Sequence, residues 1–311
     1  MSSSSSSPSQ VFKPGRHRVK LLSVEAALER SSSGPVPPKP MLIWTPCEED
    51  EFPVLIFLHG FLLHNSFYSE LLQHVSSHGF IVVAPQLYTY AGPDSAGEIS
   101  SAARITDWLI SGLAPLLPTN VLPNIAKLAV AGHSRGGKVA FALALGHGNP
   151  SLSFSAVIGV DPVDGMDKNR QTNPPILTYI PRSFDLQSAA MVIGSGLGGE
   201  KKNPFFPPCS PAAVSHREFF LECCPPACHF VARDCGHMDV LDDETKGIRG
   251  RATYCLCLNG KKGRAPMRSF VAGAIVAFMK AYLNGEMEAL WRLRDDPHSD
   301  IPVQLSEISF L

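Results

Sequence analysis

Nothing in these 311 residues is long and apolar enough to cross a bilayer. The most apolar stretch, 269–279 (Ser-Phe-Val-Ala-Gly-Ala-Ile-Val-Ala-Phe-Met), has the length of a buried core helix. The N-terminus has no continuous apolar core, which argues against a secretory signal. Charged residues are sparse at 18%, and 27 Lys and Arg against 28 Asp and Glu leave a net charge of −1. That balance gives no electrostatic ground for a nucleic-acid partner. Acids are missing before Glu25, while residues 1–22 are Ser-rich and carry Lys13, Arg16, Arg18 and Lys20. This composition fits a plastid transit segment as well as a plain disordered tail. Residues 1–38 are therefore expected to form a Ser- and Pro-rich leader, and 39–311 a single domain. Cysteine is scarce before Cys209, with Cys47 alone, and then Cys209, Cys223, Cys224, Cys228, Cys235, Cys255 and Cys257 crowd one region. No paired C-x-x-C appears, and the spacing to His229 or His237 matches no standard zinc site, so no metal is expected. An intracellular setting makes reduced thiols the default expectation, with one or two disulfides as the alternative.

The chain alternates short apolar runs with amphipathic stretches. The runs 41–45, 53–58, 80–84, 128–131, 156–160, 190–193 and 229–232 read as strands, and 19–24 as an edge strand. Between them, 67–77, 99–117, 136–145 and 267–283 carry helical periodicity. Strands buried on both faces with helices between them predict an α/β protein, its mostly parallel sheet covered on both sides. Two segments, 162–180 and 200–226, are too rich in Pro and polar residues for core and are expected to form lid-like loops at the carboxyl ends of strands. Gly194-Ser195-Gly196-Leu197-Gly198-Gly199 fits the dinucleotide fingerprint, but the Pro-rich residues after it cannot open the helix that would hold a pyrophosphate.

The chemistry centres on Gly132-His133-Ser134-Arg135-Gly136. A strand-like run precedes it and a helix-like run comes directly after, the context in which G-x-S-x-G exposes a serine on a sharp turn. Ser134 is the candidate nucleophile. A serine hydroxyl needs a base beside it, and His237, in a Gly-containing loop after the last predicted strand, is the best placed of 11 histidines. His216 and His229 are expected near the lid. For the carboxylate that orients the base, Asp161 ends a strand directly; Asp164, three residues later, is the alternative. Backbone N–H groups of Arg135 and Phe61 are the candidate oxyanion donors, with Leu62 the alternative to Phe61 and Gly60 allowing close approach. Leu62, Phe67, Tyr68, Phe205 and Phe206 are candidate pocket residues, and Phe219 and Phe220 share the lid-like segment.

These motifs together resemble plant chlorophyllase. The resemblance is carried by residues 58–68 (Leu-His-Gly-Phe-Leu-Leu-His-Asn-Ser-Phe-Tyr), 84–88, 132–137, 158–165, 203–209 and 236–243 (Gly-His-Met-Asp-Val-Leu-Asp-Asp), and spans about 41–283. It implies an α/β-hydrolase fold and hydrolysis of the phytyl ester of chlorophyll to chlorophyllide and phytol. It also implies Ser134, Asp161 and His237 as a triad, and no protein-bound cofactor, since the Mg²⁺ belongs to the pigment. Peripheral membrane association and a chloroplast address, or else the cytosol or other intracellular membranes, go with that substrate. A broader carboxylesterase or lipase would show the same catalytic residues, and a hydrolase-fold ligand receptor is the alternative outside catalysis.

Overall fold

The computed structural model describes residues 8–26, 35–90, 92–296 and 300–311. Nine strands form one sheet: β1 (Val19–Val24), β2 (Met41–Pro46), β3 (Asp50–Leu58), β4 (Ile81–Pro85), β5 (Val121–His133), β6 (Ala156–Val160), β7 (Ala189–Ser195), β8 (Ala227–Ala232) and β9 (Leu305–Phe310). Their order is β1-β2-β4-β3-β5-β6-β7-β8-β9. The six strands from β4 through β8 in that order run parallel, and antiparallel β1, β2 and β9 close the two ends. The chain steps from β3 to β4 on one side and returns to β5 on the other, which opens a crevice at the carboxyl ends of β3 and β5.

The central strands are buried on both faces, which is why they read as continuous apolar runs. In β3, Leu55 and Phe57 enter one core, whereas Val54, Ile56 and Leu58 enter the other. The first core is roofed by α1 (Ser69–Ser77) and α6 (Ala265–Asn284). The second is roofed by α2 (Ala96–Gly112), α3 (Arg135–Ala144) and α4 (His216–Glu222). Two further helices, α5 (Gly247–Cys255) and α7 (Glu288–Asp295), come after β8 and α6.

Three expectations need correction. Residues 8–24 are not a leader separate from the domain. Val11 is buried in the first core, Phe12 stacks on Phe270 of α6, and β1 pairs along its whole length with β2. The Ser-rich runs at 1–7 and 27–34 lie outside the described residues. Nor is 200–226 all loop, because α4 packs Phe219 and Phe220 into the second core. The thiols are not all reduced: Cys209 and Cys257 form a disulfide.

Candidate active site

Ser134 stands at the turn between β5 and α3 with φ of 57° and ψ of −124°. No residue with a Cβ adopts that conformation without strain. The close packing around it explains the flanking glycines. A Cβ on Gly132 would meet the carbonyl oxygen of Gly136 at 2.1 Å, and one on Gly136 would meet that of Leu58 at 2.2 Å. Strand, turn and helix can pass each other only with hydrogen at those two positions, and the strain leaves the Ser134 hydroxyl at the N-terminus of α3.

Asp161 and His237 meet across the ends of β6 and β8. His237 Nδ1–H donates to Asp161 Oδ2 at 2.7 Å, and both side chains are buried. Asp161 has a second set of donors: the Ser195 hydroxyl, and the Ser210 hydroxyl at 3.1 Å. Burial alone would raise its carboxyl, but the hydrogen bond and charge of His237, the field of His216 and the Ser195 hydroxyl outweigh it. The net effect holds Asp161 well below the usual carboxylate range, ionised at any physiological pH. The glycine cluster at 194–199 belongs to this arrangement: a Cβ on Gly198 would lie 2.9 Å from Asp161 Oδ2. Ser195 and Ser210 are invisible to sequence reasoning, because a hydroxyl on a distant loop carries no pattern that names its acceptor.

Asp164 serves elsewhere. It pairs with Lys138 of α3 at 2.8 Å, both side chains being fully buried, and accepts the backbone N–H groups of Ile176 and Leu177 at 2.9 and 3.1 Å. It ties the 162–180 loop together and to α3, and makes no bond to His237.

A second chain of hydrogen bonds joins the loop after β3 to the histidine. Gly60 N–H donates to the Tyr68 hydroxyl at 3.0 Å, and Tyr68 O–H donates to His133 Nδ1 at 2.8 Å. His133 Nε2–H then donates to the backbone carbonyl of His237 at 2.9 Å. Burial, together with the nearby His237, lowers His133 to about 3 and keeps it neutral, as both of its bonds require. Tyr68 and Phe67 therefore do not line a pocket; both are buried in the first core, and Tyr68 is a strut under the site. Gly60 N–H and Leu63 N–H are committed, the latter to the Gly60 carbonyl at 3.1 Å, and the Leu62 N–H faces the Tyr88 hydroxyl, so the backbone left between them is that of Phe61. Leu62 has φ of 57°, and its side chain and that of Phe61 are exposed.

Arg135 extends from the elbow over the Phe61 ring, 4.3 Å from its centroid, and pairs with buried Glu98 of α2 at 3.0 Å. Phe205 and Phe206 stand out from the loop 199–209 with 90% and 50% of their surface exposed. That loop is closed at its foot, where Ser210 N–H donates to the Gly198 carbonyl at 2.9 Å. His229 is fully buried rather than pocket-facing. It bonds His216 at 2.9 Å and Glu307 of β9 at 3.3 Å. Among the described residues, no cluster of His, Cys, Asp and Glu is arranged to hold a metal ion.

A strained serine turn between β5 and α3, on a mostly parallel sheet of this order, is the arrangement of the α/β-hydrolase class. Within that class the chain belongs to the chlorophyllase family, whose sequence profile matches residues 7–311. It is 52% identical over 318 residues to chlorophyllase-2 of Arabidopsis thaliana, covering 99% of both chains. To chlorophyllase-1 of the same plant it is 47% identical over 264 residues, covering 84% of this chain and 81% of the relative. A Citrus unshiu relative named chlorophyllase-1, chloroplastic, is 43% identical over 304 residues, covering 97% and 88%.

Proposed function

We propose that this chain is a serine esterase that hydrolyses the phytyl ester of chlorophyll, releasing chlorophyllide and phytol. The observation that carries the mechanism is the 2.7 Å bond from His237 to ionised Asp161, at the same end of the sheet as a strained serine. The family, and relatives named chlorophyllase along nearly the whole chain, support the substrate.

In this reading the Ser134 hydroxyl attacks the ester carbonyl while His237 Nε2 takes its proton. Asp161 holds the imidazole in the tautomer with hydrogen on Nδ1 and stabilises the imidazolium that forms. The tetrahedral oxyanion is received by the backbone N–H groups of Arg135 and Phe61. Collapse expels phytol, which takes the proton from His237. Water, deprotonated by the same base, then attacks the acyl-serine and frees chlorophyllide. Each step uses only groups of this chain, substrate and water. Phe61, Leu62, Phe205 and Phe206 supply apolar surface for a flat ring and a long isoprenoid tail, and Gly60 lets them come close. A chloroplast address is the companion proposal, supported by the names of the Citrus relatives; import of the full chain fused to a fluorescent protein checks it.

The test is partition of pigment between hexane and aqueous acetone after incubation with detergent-solubilised chlorophyll. Green pigment should move to the aqueous phase with wild type and stay in hexane with Ser134→Ala. Pigment staying in hexane while p-nitrophenyl butyrate is cleaved would keep the serine mechanism and replace chlorophyll by simpler esters.

A further inference from the structure

The Gly60–Phe61 peptide is held more firmly than its turn requires. Its carbonyl oxygen accepts three donors: His59 Nδ1–H at 2.9 Å, Leu63 N–H at 3.1 Å and the Tyr88 hydroxyl at 3.3 Å. Only the Leu63 bond belongs to the turn itself. In a trans peptide the carbonyl and the N–H point in opposite directions, so donors on the oxygen fix the direction of the Phe61 N–H. They also polarise the amide and make that N–H a stronger donor. The peptide stands beside the candidate nucleophile, since a Cβ on Gly60 would lie 3.3 Å from Ser134 Cβ.

His59 and Tyr88 differ in what else they reach. His59 is fully buried, and its Nε2 accepts the Leu87 N–H at 3.0 Å, which fastens the loop after β3 to the segment after β4. Tyr88 reaches across the site. Leu62 N–H and the Arg135 guanidinium both face its oxygen. One O–H given to Gly60 and two lone pairs facing Leu62 and Arg135 use the whole hydrogen-bonding capacity of a phenol. Burial and the field of Glu98 raise the Tyr88 hydroxyl far above its ordinary value, so it keeps the proton that it donates to Gly60. Leu62, next to this oxygen, has φ of 57°, a conformation that a residue with a Cβ keeps only when its surroundings enforce it.

The Tyr88 side chain is itself held in place. Its ring meets His59 edge-on, with 4.9 Å between centroids, and its backbone carbonyl accepts Gln86 Nε2–H at 2.8 Å. Gln86 also donates to the Leu63 carbonyl at 3.2 Å and accepts the Asn65 N–H at 2.9 Å. On the far side, Arg135 is anchored by Glu98 at 3.0 Å while it covers the Phe61 ring. The Tyr88 hydroxyl thus lies between two segments that are each fixed from behind.

We infer that Tyr88 is a positioning residue for the oxyanion site: its hydroxyl clamps the 60–62 backbone to Arg135, so that the Phe61 and Arg135 N–H groups stand at a set spacing before substrate arrives. Donors preset in this way need no reorganisation as charge develops on the ester oxygen. The inference rests on the serine-esterase reading and adds to it a residue outside the triad and outside the two donors.

The experiment compares wild type with Tyr88→Phe, which keeps the ring and removes the hydroxyl, in cleavage of p-nitrophenyl butyrate. Two inhibitors are titrated against both proteins. An alkyl trifluoromethyl ketone takes the Ser134 oxygen at its carbonyl carbon, the proton passes to His237, and an oxyanion is left in the site. The matching methyl ketone only occupies the site. Wild type should bind the trifluoromethyl ketone at least about tenfold more tightly than the methyl ketone. Tyr88→Phe should lower kcat by about ten- to a hundredfold, less than loss of a donor itself costs. It should weaken the trifluoromethyl ketone by the same factor, with KM and the methyl ketone changed by less than about twofold. An unchanged kcat, or equal weakening of both ketones, overturns the inference. Equal binding of the two ketones to wild type would remove the serine mechanism and this inference with it, a result distinct from failure of the Tyr88 role alone.

Arg135→Lys supplies an independent arm, since it keeps the backbone N–H and removes the guanidinium that faces Tyr88. Combined with Tyr88→Phe, it should lower kcat by less than the product of the two single losses. Independent effects of the two substitutions overturn the clamp. Should Tyr88→Phe not fold, Arg135→Lys alone must show the selective loss of the trifluoromethyl ketone, and its absence overturns the inference as well.

Discussion

His133 holds the backbone of His237: its Nε2–H donates to the His237 carbonyl at 2.9 Å, and the two rings lie 4.6 Å apart. The residue just before the candidate nucleophile thus fixes where the candidate base stands, and through Tyr68 it also fixes Gly60 in the loop expected to hold the oxyanion. One neutral imidazole sets the spacing of three parts of the site. His133→Leu should fold yet lower kcat by up to about 10²-fold, the cost of small misplacement. KM for a soluble ester should change little. A variant with raised KM and normal kcat would show that His133 shapes binding instead.

Asp161 and Asp164 lie three residues apart in a single segment and should fail in different ways. Asp161→Asn should fold normally and lose kcat by about 10⁴-fold, as in the serine-protease precedent where the wrong tautomer is favoured. Asp164→Asn leaves the Lys138 ammonium buried without its counter-charge, which costs about 3–5 kcal/mol of stability. Its activity per folded molecule should be close to wild type. Urea unfolding and ester kinetics on both variants check this, and a crippled kcat in a stable Asp164→Asn protein would move the acid.

Much of this is legible in the sequence because buried parallel strands announce themselves. The runs ending at Leu58, Val160 and Ala232 are apolar on both faces, and the loop leaving each must lie at the same end of the sheet. Gly60, Asp161 and His237 can therefore be assembled by topology alone. Phe67 and Tyr68 mislead, because an aromatic pair after a site loop looks the same whether it faces the pocket or the core. The helix start at Ser69, one residue later, turns both inward. β9 announces no partner, as it pairs antiparallel with β8 across more than 70 residues of chain. α5 is silent because it has almost no apolar face to betray a helical period. Cysteine spacing does not specify pairing, so the Cys209–Cys257 bridge emerges only when the two loops are placed.

That bridge closes a segment with a sequence separation of 48 residues, which in the loop-entropy account stabilises the fold by about 4 kcal/mol. It also lies next to Ser210, one of the donors to Asp161. Cys257→Ser should lower the midpoint of urea unfolding and, by loosening the foot of the 199–209 loop, lower activity against bulky esters more than against p-nitrophenyl butyrate. Equal losses on both substrates would mean that the bridge acts on global stability alone.

Glu98 makes stability depend on pH in an unusual direction. Burial raises its carboxyl from the ordinary 4.5 to about 7, in spite of the opposing charge and hydrogen bond of Arg135. Between those two values the folded chain holds a proton on Glu98 that the unfolded chain has released. Unfolding there releases a proton, so this group's contribution to stability is fully present below pH of about 4.5 and falls as pH rises through 7. The change amounts to about 3 kcal/mol over the window. Glu98→Gln, which is neutral throughout, should flatten this part of the profile and gain relative stability above pH 7. The ionised carboxylate steadies Arg135 over Phe61, so above pH 7 the wild type should keep the lower KM for apolar esters. Urea midpoints between pH 5 and 8 for wild type and Glu98→Gln decide the matter: parallel profiles would mean that Glu98 is ionised throughout and its pair with Arg135 outweighs burial.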